Sequence, residues 1–98
     1  MLEVSSFAER DLGEIADWIA EDNPRRAVSF IQEIRAEFLR IGDAPLQYQL
    51  RPEIGEEARL AVVGRYVILF WTDGRVVRIE RVAFGGRDLA IVFQGGIL

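Results

Sequence analysis

The spacing of apolar residues along this chain changes once, dividing it into a helical half and a strand half. From Phe7 the apolar positions are Phe7, Ala8, Leu12, Ile15, Ala16, Ile19 and Ala20. That spacing marks one face of a helix, and Asp11, Glu14, Asp17 and Glu21 fall off the stripe as a solvated face. Ser5 or Ser6 offers an N-cap, with Glu9 three residues beyond Ser6 as in a capping box. Trp18 lies off the centre of the stripe and is expected to reach the surface. Asp22-Asn23-Pro24 interrupts the pattern. Asn23 as N-cap and Pro24 at the first helical position predict a second helix to about Arg40-Ile41, ended by Gly42 at C′. Its stripe is Ala27, Ile31, Ile34, Phe38 and Ile41, flanked by Val28, Phe30 and Leu39. So short a connection predicts an antiparallel helical hairpin.

Leu2–Val4 alternates briefly and reads as an edge strand. Asp43 to Glu57, with Pro45, Pro52 and Gly55, reads as a connecting loop holding a short extended piece near Tyr48–Arg51. The strand half follows. Arg59 to Phe70 (RLAVVGRYVILF) reads as one long strand, Trp71 to Gly74 (WTDG) as the turn, and Val76 to Leu89 as the return. Asp73-Gly74 is a hairpin signal of the type I′ kind, which needs positive φ at both central residues. Arg87 to Phe93 reads as a final short helix or strand, and the Gly95-Gly96 tail as loose. The order predicts one α+β domain over residues 1–98. In it an N-terminal antiparallel helical hairpin packs on one face of a small antiparallel sheet of three to four strands. Neither helix is stable alone. Burial of VVGRYVILFW and VVRIERVAF against Leu12, Ile15, Ile31 and Ile34 is the dominant folding contribution.

Composition agrees with a foldable domain. The chain has 98 residues, 50% of them apolar and 29% charged, enough for one core with a thin stability margin. The longest apolar run, Tyr66 to Trp71, falls far short of the roughly 20 residues of a membrane span. MLEVSSFAERDL lacks a basic stretch followed by an apolar one, so a cytoplasmic location is expected. Net charge is −4, unevenly spread. Residues 1–24 hold one arginine against seven acids, residues 25–57 five against six, and residues 58–98 six against three. An acidic helical face therefore sits beside a mildly basic sheet. The acidity opposes broad, sequence-independent binding to nucleic acid and leaves room for a small arginine-lined pocket.

Histidine, lysine and cysteine are absent. Serine–histidine and cysteine–histidine catalysis are thereby excluded, and a metal would find only carboxylates, so neither metal nor cofactor is expected. Gly85-Gly86 lacks the GxxxxGK pattern of a phosphate loop, and Glu56-Glu57 reads as a solvated loop. One catalytic option remains: metal-free RNA cleavage by arginines and Tyr66. Arginine stabilises a phosphorane-like charge but is a poor general base.

Four phrases, RDLGEIADWIAEDNPRRAVSFIQEI, PLQYQLRPEIGEEAR, VVGRYVILFW and IERVAFGGRDL, occur in an order and at spacings that carry a family resemblance. Over nearly its whole length the chain resembles the ParE branch of the RelE/ParE toxin superfamily, the toxins of bacterial type II toxin–antitoxin modules. The resemblance implies two helices on a small antiparallel sheet. It also implies a cognate, ParD-like antitoxin whose C-terminal segment wraps the toxin in a hetero-oligomer. ParE-branch toxins inhibit DNA gyrase by binding it, whereas RelE-branch toxins cleave ribosome-bound mRNA. The RelE alternative would draw on Arg59, Arg65, Tyr66 and Arg81. The family's ending commonly carries a histidine where Phe84 stands here, which weakens the nuclease reading and leaves the gyrase reading untouched.

Candidate antitoxin contacts are Arg59, Arg65, Arg81, Arg87, Tyr66 and Trp71. Arg81 and Arg87 either grip an acidic tail or form internal ion pairs, Arg81 near Glu80 and Arg87 near Asp88. Arg59 and Arg65 also read as solvent-facing strand charges that discourage aggregation. Trp18, Phe30, Tyr66 and Trp71 are core residues or, where exposed, a partner surface. Either Leu2–Val4 or the strand at 76–84 is an open edge suited to strand addition.

Overall fold

A computed structural model describes residues 1–86, 88, 89 and 93; the expectations for Arg87, for the 87–93 segment as a unit and for the Gly95-Gly96 tail fall outside them. The elements run β1 (Leu2–Val4), α1 (Ser6–Ala20), α2 (Pro24–Asp43), a 3-10 turn (Pro45–Gln47), β2 (Arg59–Val63), β3 (Tyr66–Thr72) and β4 (Val77–Phe84). The four strands form one sheet in the order β1-β4-β3-β2. The β2–β3 and β3–β4 pairs are antiparallel, while β1 runs parallel to β4 with Leu2 opposite Val77 and Val4 opposite Ile79. The fold is α+β, two helices on a mostly antiparallel sheet.

Both helices start where their caps predict, with one correction. Ser5 is the N-cap of α1: its hydroxyl accepts the Ala8 amide at 3.0 Å and donates to the Glu80 carbonyl at 2.6 Å. The Ser6–Glu9 capping box does not form, and Glu9 instead pairs with Arg35 across the two helices at 2.8 Å. Because the buried Ser5 hydroxyl serves the helix and the sheet at once, Ser5→Ala is expected to cost about 1–2 kcal/mol, measured by urea unfolding. Asn23 caps α2 through the Arg26 amide, with Pro24 beginning the helix. Gly42 does not end it. The helix runs on to Asp43 without a left-handed residue and is capped at Ala44.

The expected single long strand is two strands. Gly64-Arg65 forms a tight turn between Val63 and Tyr66, with positive φ (58°) at Gly64 alone, the pattern of a type II′ hairpin. The β3–β4 connection is also not type I′. Trp71 and Thr72 belong to β3, only Gly74 has positive φ (94°), and the loop spans residues 73–76. Asp73 organises it, its carboxylate accepting the Arg75 amide at 2.8 Å and the Val76 amide at 2.9 Å. These bonds hold the Asp73 carboxyl below its ordinary pKa.

In β4 the register with β3 shifts, Leu69 facing Arg81 and Phe70 facing Ile79, so Glu80 is an extra, bulged residue. A bulge changes which residues face each side. Val77 and Ile79 reach the helix-side core before it, and Val82 after it. The core beneath the helices joins Leu12, Ile15, Phe30, Ile34, Phe38 and Ile41 to Ala61, Ile68, Phe70, Val77, Ile79 and Val82. A second cluster on the other sheet face holds Ala58, Leu60, Val67, Leu69 and Phe93. Strand β3, interior and covered on both faces, accordingly buries Val67, Ile68, Leu69 and Phe70 in succession.

The expected extended piece before β2 is present as an isolated bridge between Leu50 and Arg59. Tyr48, just upstream, donates its hydroxyl to Glu37 at 2.9 Å. Burial, together with that bond, pushes the Tyr48 phenol up to about 12. A phenol that keeps its proton longer in the folded state adds stability that is complete below pH about 10 and lost as pH rises through about 12. Tyr48→Phe is expected to flatten the alkaline fall of urea stability between those values.

Candidate functional site

Strand β1 is three residues long and covers β4 only over Val77–Ile79. Beyond Ile79 the outer edge of β4 faces α1 instead of another strand. The edge of a sheet presents backbone donors and acceptors that need partners, and α1 supplies the first of them. The Ser5 amide donates to the Ile79 carbonyl at 2.9 Å, and the Ser5 hydroxyl takes the Glu80 carbonyl. The Val82 amide then donates to Asp11 at 2.9 Å. That bond fixes the phase of the strand. Amide and carbonyl of one residue point the same way and alternate along the strand, so the Val82 carbonyl and both backbone groups of Phe84 also point outward. Among the described residues no strand pairs with them.

This open stretch forms one wall of a groove of about 480 Å³ lined by Asp11, Glu14, Ile15 and Trp18 of α1 and by Tyr66, Arg81, Val82, Ala83 and Phe84 of the sheet. Its floor is aromatic. Tyr66 lies 5.5 Å from Phe30 and 5.9 Å, edge-on, from Phe84, and the Arg26 guanidinium sits 5.0 Å from the Phe30 ring centre. Trp18 stands at the rim with 69% of its surface exposed, and Phe84 is 41% exposed.

At the inner end of the groove Asp11 is a three-way acceptor. Arg81 donates to it through Nε at 2.8 Å and Nη2 at 3.1 Å, and the Val82 amide supplies the third bond. Asp11 is 7% exposed. The expectation that it belongs to a solvated face is therefore wrong: it stands beside the apolar stripe and is buried by β4. Hydrogen bonding to Asp11 raises the Arg81 pKa further above its ordinary value. Arg81 does form an internal ion pair, but with Asp11 and not near Glu80, which pairs with Arg78.

Of the candidate residues that are described, which leaves out Arg87, the structure brings Arg81 and Tyr66 to the groove and scatters Arg59, Arg65 and Trp71. Arg59 donates to the Tyr48 carbonyl at the far end of β2, about 13 Å along the strand from the Val63–Tyr66 end. Arg65 is exposed in the β2–β3 turn. Trp71 donates its indole N–H to the Glu56 carbonyl at 3.1 Å and packs in the second cluster. Phe30 is core. The strand at 76–84 is not an edge over Val77–Ile79 and is one only beyond the bulge. Trp18, expected at the surface and named as a partner-facing aromatic, is exposed at the groove, whereas Glu14 and Ile15 escaped the sequence reading as site residues. Their signal is the spacing of Asp11, Glu14, Ile15 and Trp18, which share a second face of α1. Among the described residues no three acidic side chains gather as a metal site would require.

Comparison with known proteins places this geometry. A family model, the ParE toxin of the type II toxin–antitoxin system parDE, matches residues 2–89. No curated protein matches the chain. Among solved structures, the chromosomal ParDE toxin–antitoxin system from P. aeruginosa is 21% identical with a TM-score of 0.73, covering 85% of this chain and 92% of that one. The RelBE2 toxin–antitoxin complex from Mycobacterium tuberculosis is 24% identical with a TM-score of 0.59, covering 86% and 95%. At those identities the likeness is one of fold. The family match spans the helical hairpin, all four strands and every groove residue, and the chain belongs to the ParE toxin family of type II toxin–antitoxin systems.

Proposed function

We propose that this ParE-family toxin inhibits DNA gyrase by binding it, and that a ParD-like antitoxin neutralises it by laying its C-terminal segment in the groove between α1 and the open edge of β4. The observation that carries the second half is that edge: the Val82 carbonyl and both backbone groups of Phe84 have no strand partner among the described residues, and they lie beside exposed Trp18 and Phe84, the combination that strand addition uses. The solved relatives come from toxin–antitoxin systems, which supports the same partner here. Toxin and antitoxin then form a hetero-oligomer in the cytoplasm, where gyrase works. No helix among the described residues is long and apolar enough to cross a membrane.

Inhibition by binding is supported by the chemistry available. The chain has no histidine, lysine or cysteine, and the arginine with the best position in the groove is engaged by Asp11. An mRNA interferase built on Arg59, Arg65, Tyr66 and Arg81 would need those four to converge, and Arg59 is at the opposite end of its strand. Purified toxin is expected to reduce gyrase supercoiling and to leave ribosome-bound transcripts intact. Unimpaired supercoiling at high toxin excess would overturn the gyrase reading. Ribosome-dependent cuts abolished by Arg81→Ala would establish the interferase instead.

A further inference from the structure

The two charged groups at the inner end of the groove cancel. Arg81 spends two of its five donors on Asp11 and also lies in the field of Glu14, so the three charged groups that line the groove, Asp11, Glu14 and Arg81, sum to one negative charge. The formal charge left facing the groove is the Glu14 carboxylate. Glu14 is exposed, and among the described residues it has no ion pair and no side-chain hydrogen bond. One helical turn further along, Trp18 presents an indole that is 69% exposed. Residues four apart on a helix are neighbours. A carboxylate beside an open indole face is a site for a cation, because the ring's negative face and the carboxylate attract the same charge. The surroundings agree: residues 1–24, which include this wall, hold seven acids and one arginine.

We propose that the groove selects an extended peptide carrying a basic side chain, arginine above all, where it passes between Glu14 and Trp18. This inference rests on the strand-addition reading and specifies the partner. A strand paired to Val82 and Phe84 turns alternate side chains toward α1. One of these meets Glu14 and Trp18, and the next but one lies over Ile15, Tyr66 and Phe84. The recognised segment therefore reads basic–x–apolar or apolar–x–basic, depending on its direction. Arginine is preferred to lysine because its planar guanidinium stacks on indole and reaches a carboxylate with two donors. The sheet's surplus of arginines suggests an acidic tail; the side-chain pairing reverses that expectation.

The test uses the full chain and three synthetic twelve-residue strand peptides of alternating valine and threonine. They differ only in a central arginine, glutamine or glutamate. Binding is followed by NMR at the Phe84 amide and the Trp18 indole, with the Trp71 indole, tied to Glu56, as internal control. The arginine peptide is expected to bind at least about tenfold more tightly than the glutamate peptide, in a salt-sensitive manner. Glu14→Arg, an exposed change that the fold tolerates, is expected to reverse the order, and Trp18→Ala to narrow the difference. Equal binding of all three peptides at the groove would overturn the basic preference while leaving strand addition standing. No perturbation of Phe84 or Trp18 by any peptide would overturn both.

Discussion

Asp11→Ala is expected to destabilise the domain by about 3–5 kcal/mol, the range for stripping one partner from a buried ion pair. The variant loses two charge-assisted bonds from Arg81 and one from the Val82 amide. It also leaves a guanidinium whose side chain is only 21% exposed without its counter-ion. Against a total of about 5–15 kcal/mol for a domain of this kind, such a loss brings the chain close to unfolding at ordinary temperatures. Urea denaturation followed by circular dichroism measures it. Arg81→Ala is expected to cost less, because Asp11 keeps the Val82 amide and is near enough to the groove to regain water. The double change Asp11→Leu with Arg81→Met should recover part of the loss of Asp11→Ala, since two apolar side chains leave no buried charge. A cost below about 1 kcal/mol for Asp11→Ala would mean the pair does not hold α1 to β4.

Phe70→Ala should be as damaging, for a different reason. Phe70 is fully buried, packs edge-on with Tyr48 at 5.5 Å, and belongs to the core under both helices. Deleting a buried aromatic ring costs about 3–5 kcal/mol, through lost transfer free energy and the cavity left behind. Phe70→Leu keeps most of the volume and should cost well under half as much. Leu69, the next residue, is also fully buried but in the cluster on the other sheet face. Leu69→Ala is accordingly expected to cost about 2–5 kcal/mol as well. A sheet packed on one face alone would spare one of these neighbours, so the pair of variants tests whether both layers carry stability.

Much of the fold was legible because local signals agreed with one another. Asn23-Pro24 begins α2, and each helix carries an apolar stripe that meets the sheet. The run Tyr66–Trp71 reads as strand because it is an interior one. The errors have local causes too. Gly64-Arg65 lies inside a stretch of strong strand formers, so VVGRYV reads as continuous, although glycine at the first of two central residues is what a type II′ turn needs. The bulge is written in VRIERVAF: the helix-facing residues are Val77, Ile79 and then Val82, two apart and then three. The parallel pairing of β1 has no local signature, since its partner lies 75 residues away. The same holds for the site. Asp11 sits at the border of the apolar stripe, where a helical pattern alone allows either burial or solvation, and Arg81 decides the matter from 70 residues further on. Tyr66, Arg81 and Trp18 are legible as candidates; Asp11, Glu14 and Ile15, which complete the α1 wall and make a groove of them, are not.

The place of β1 has a consequence for biosynthesis. Strand β1 finds its partner only in β4, 75 residues further on, and contacts so far apart in sequence form late. A nascent chain can build its helical hairpin early, but the sheet stays open until residue 84 has cleared the exit tunnel. Translation halted before that point yields a fragment with neither the outer edge of β4 nor the groove wall it makes with α1.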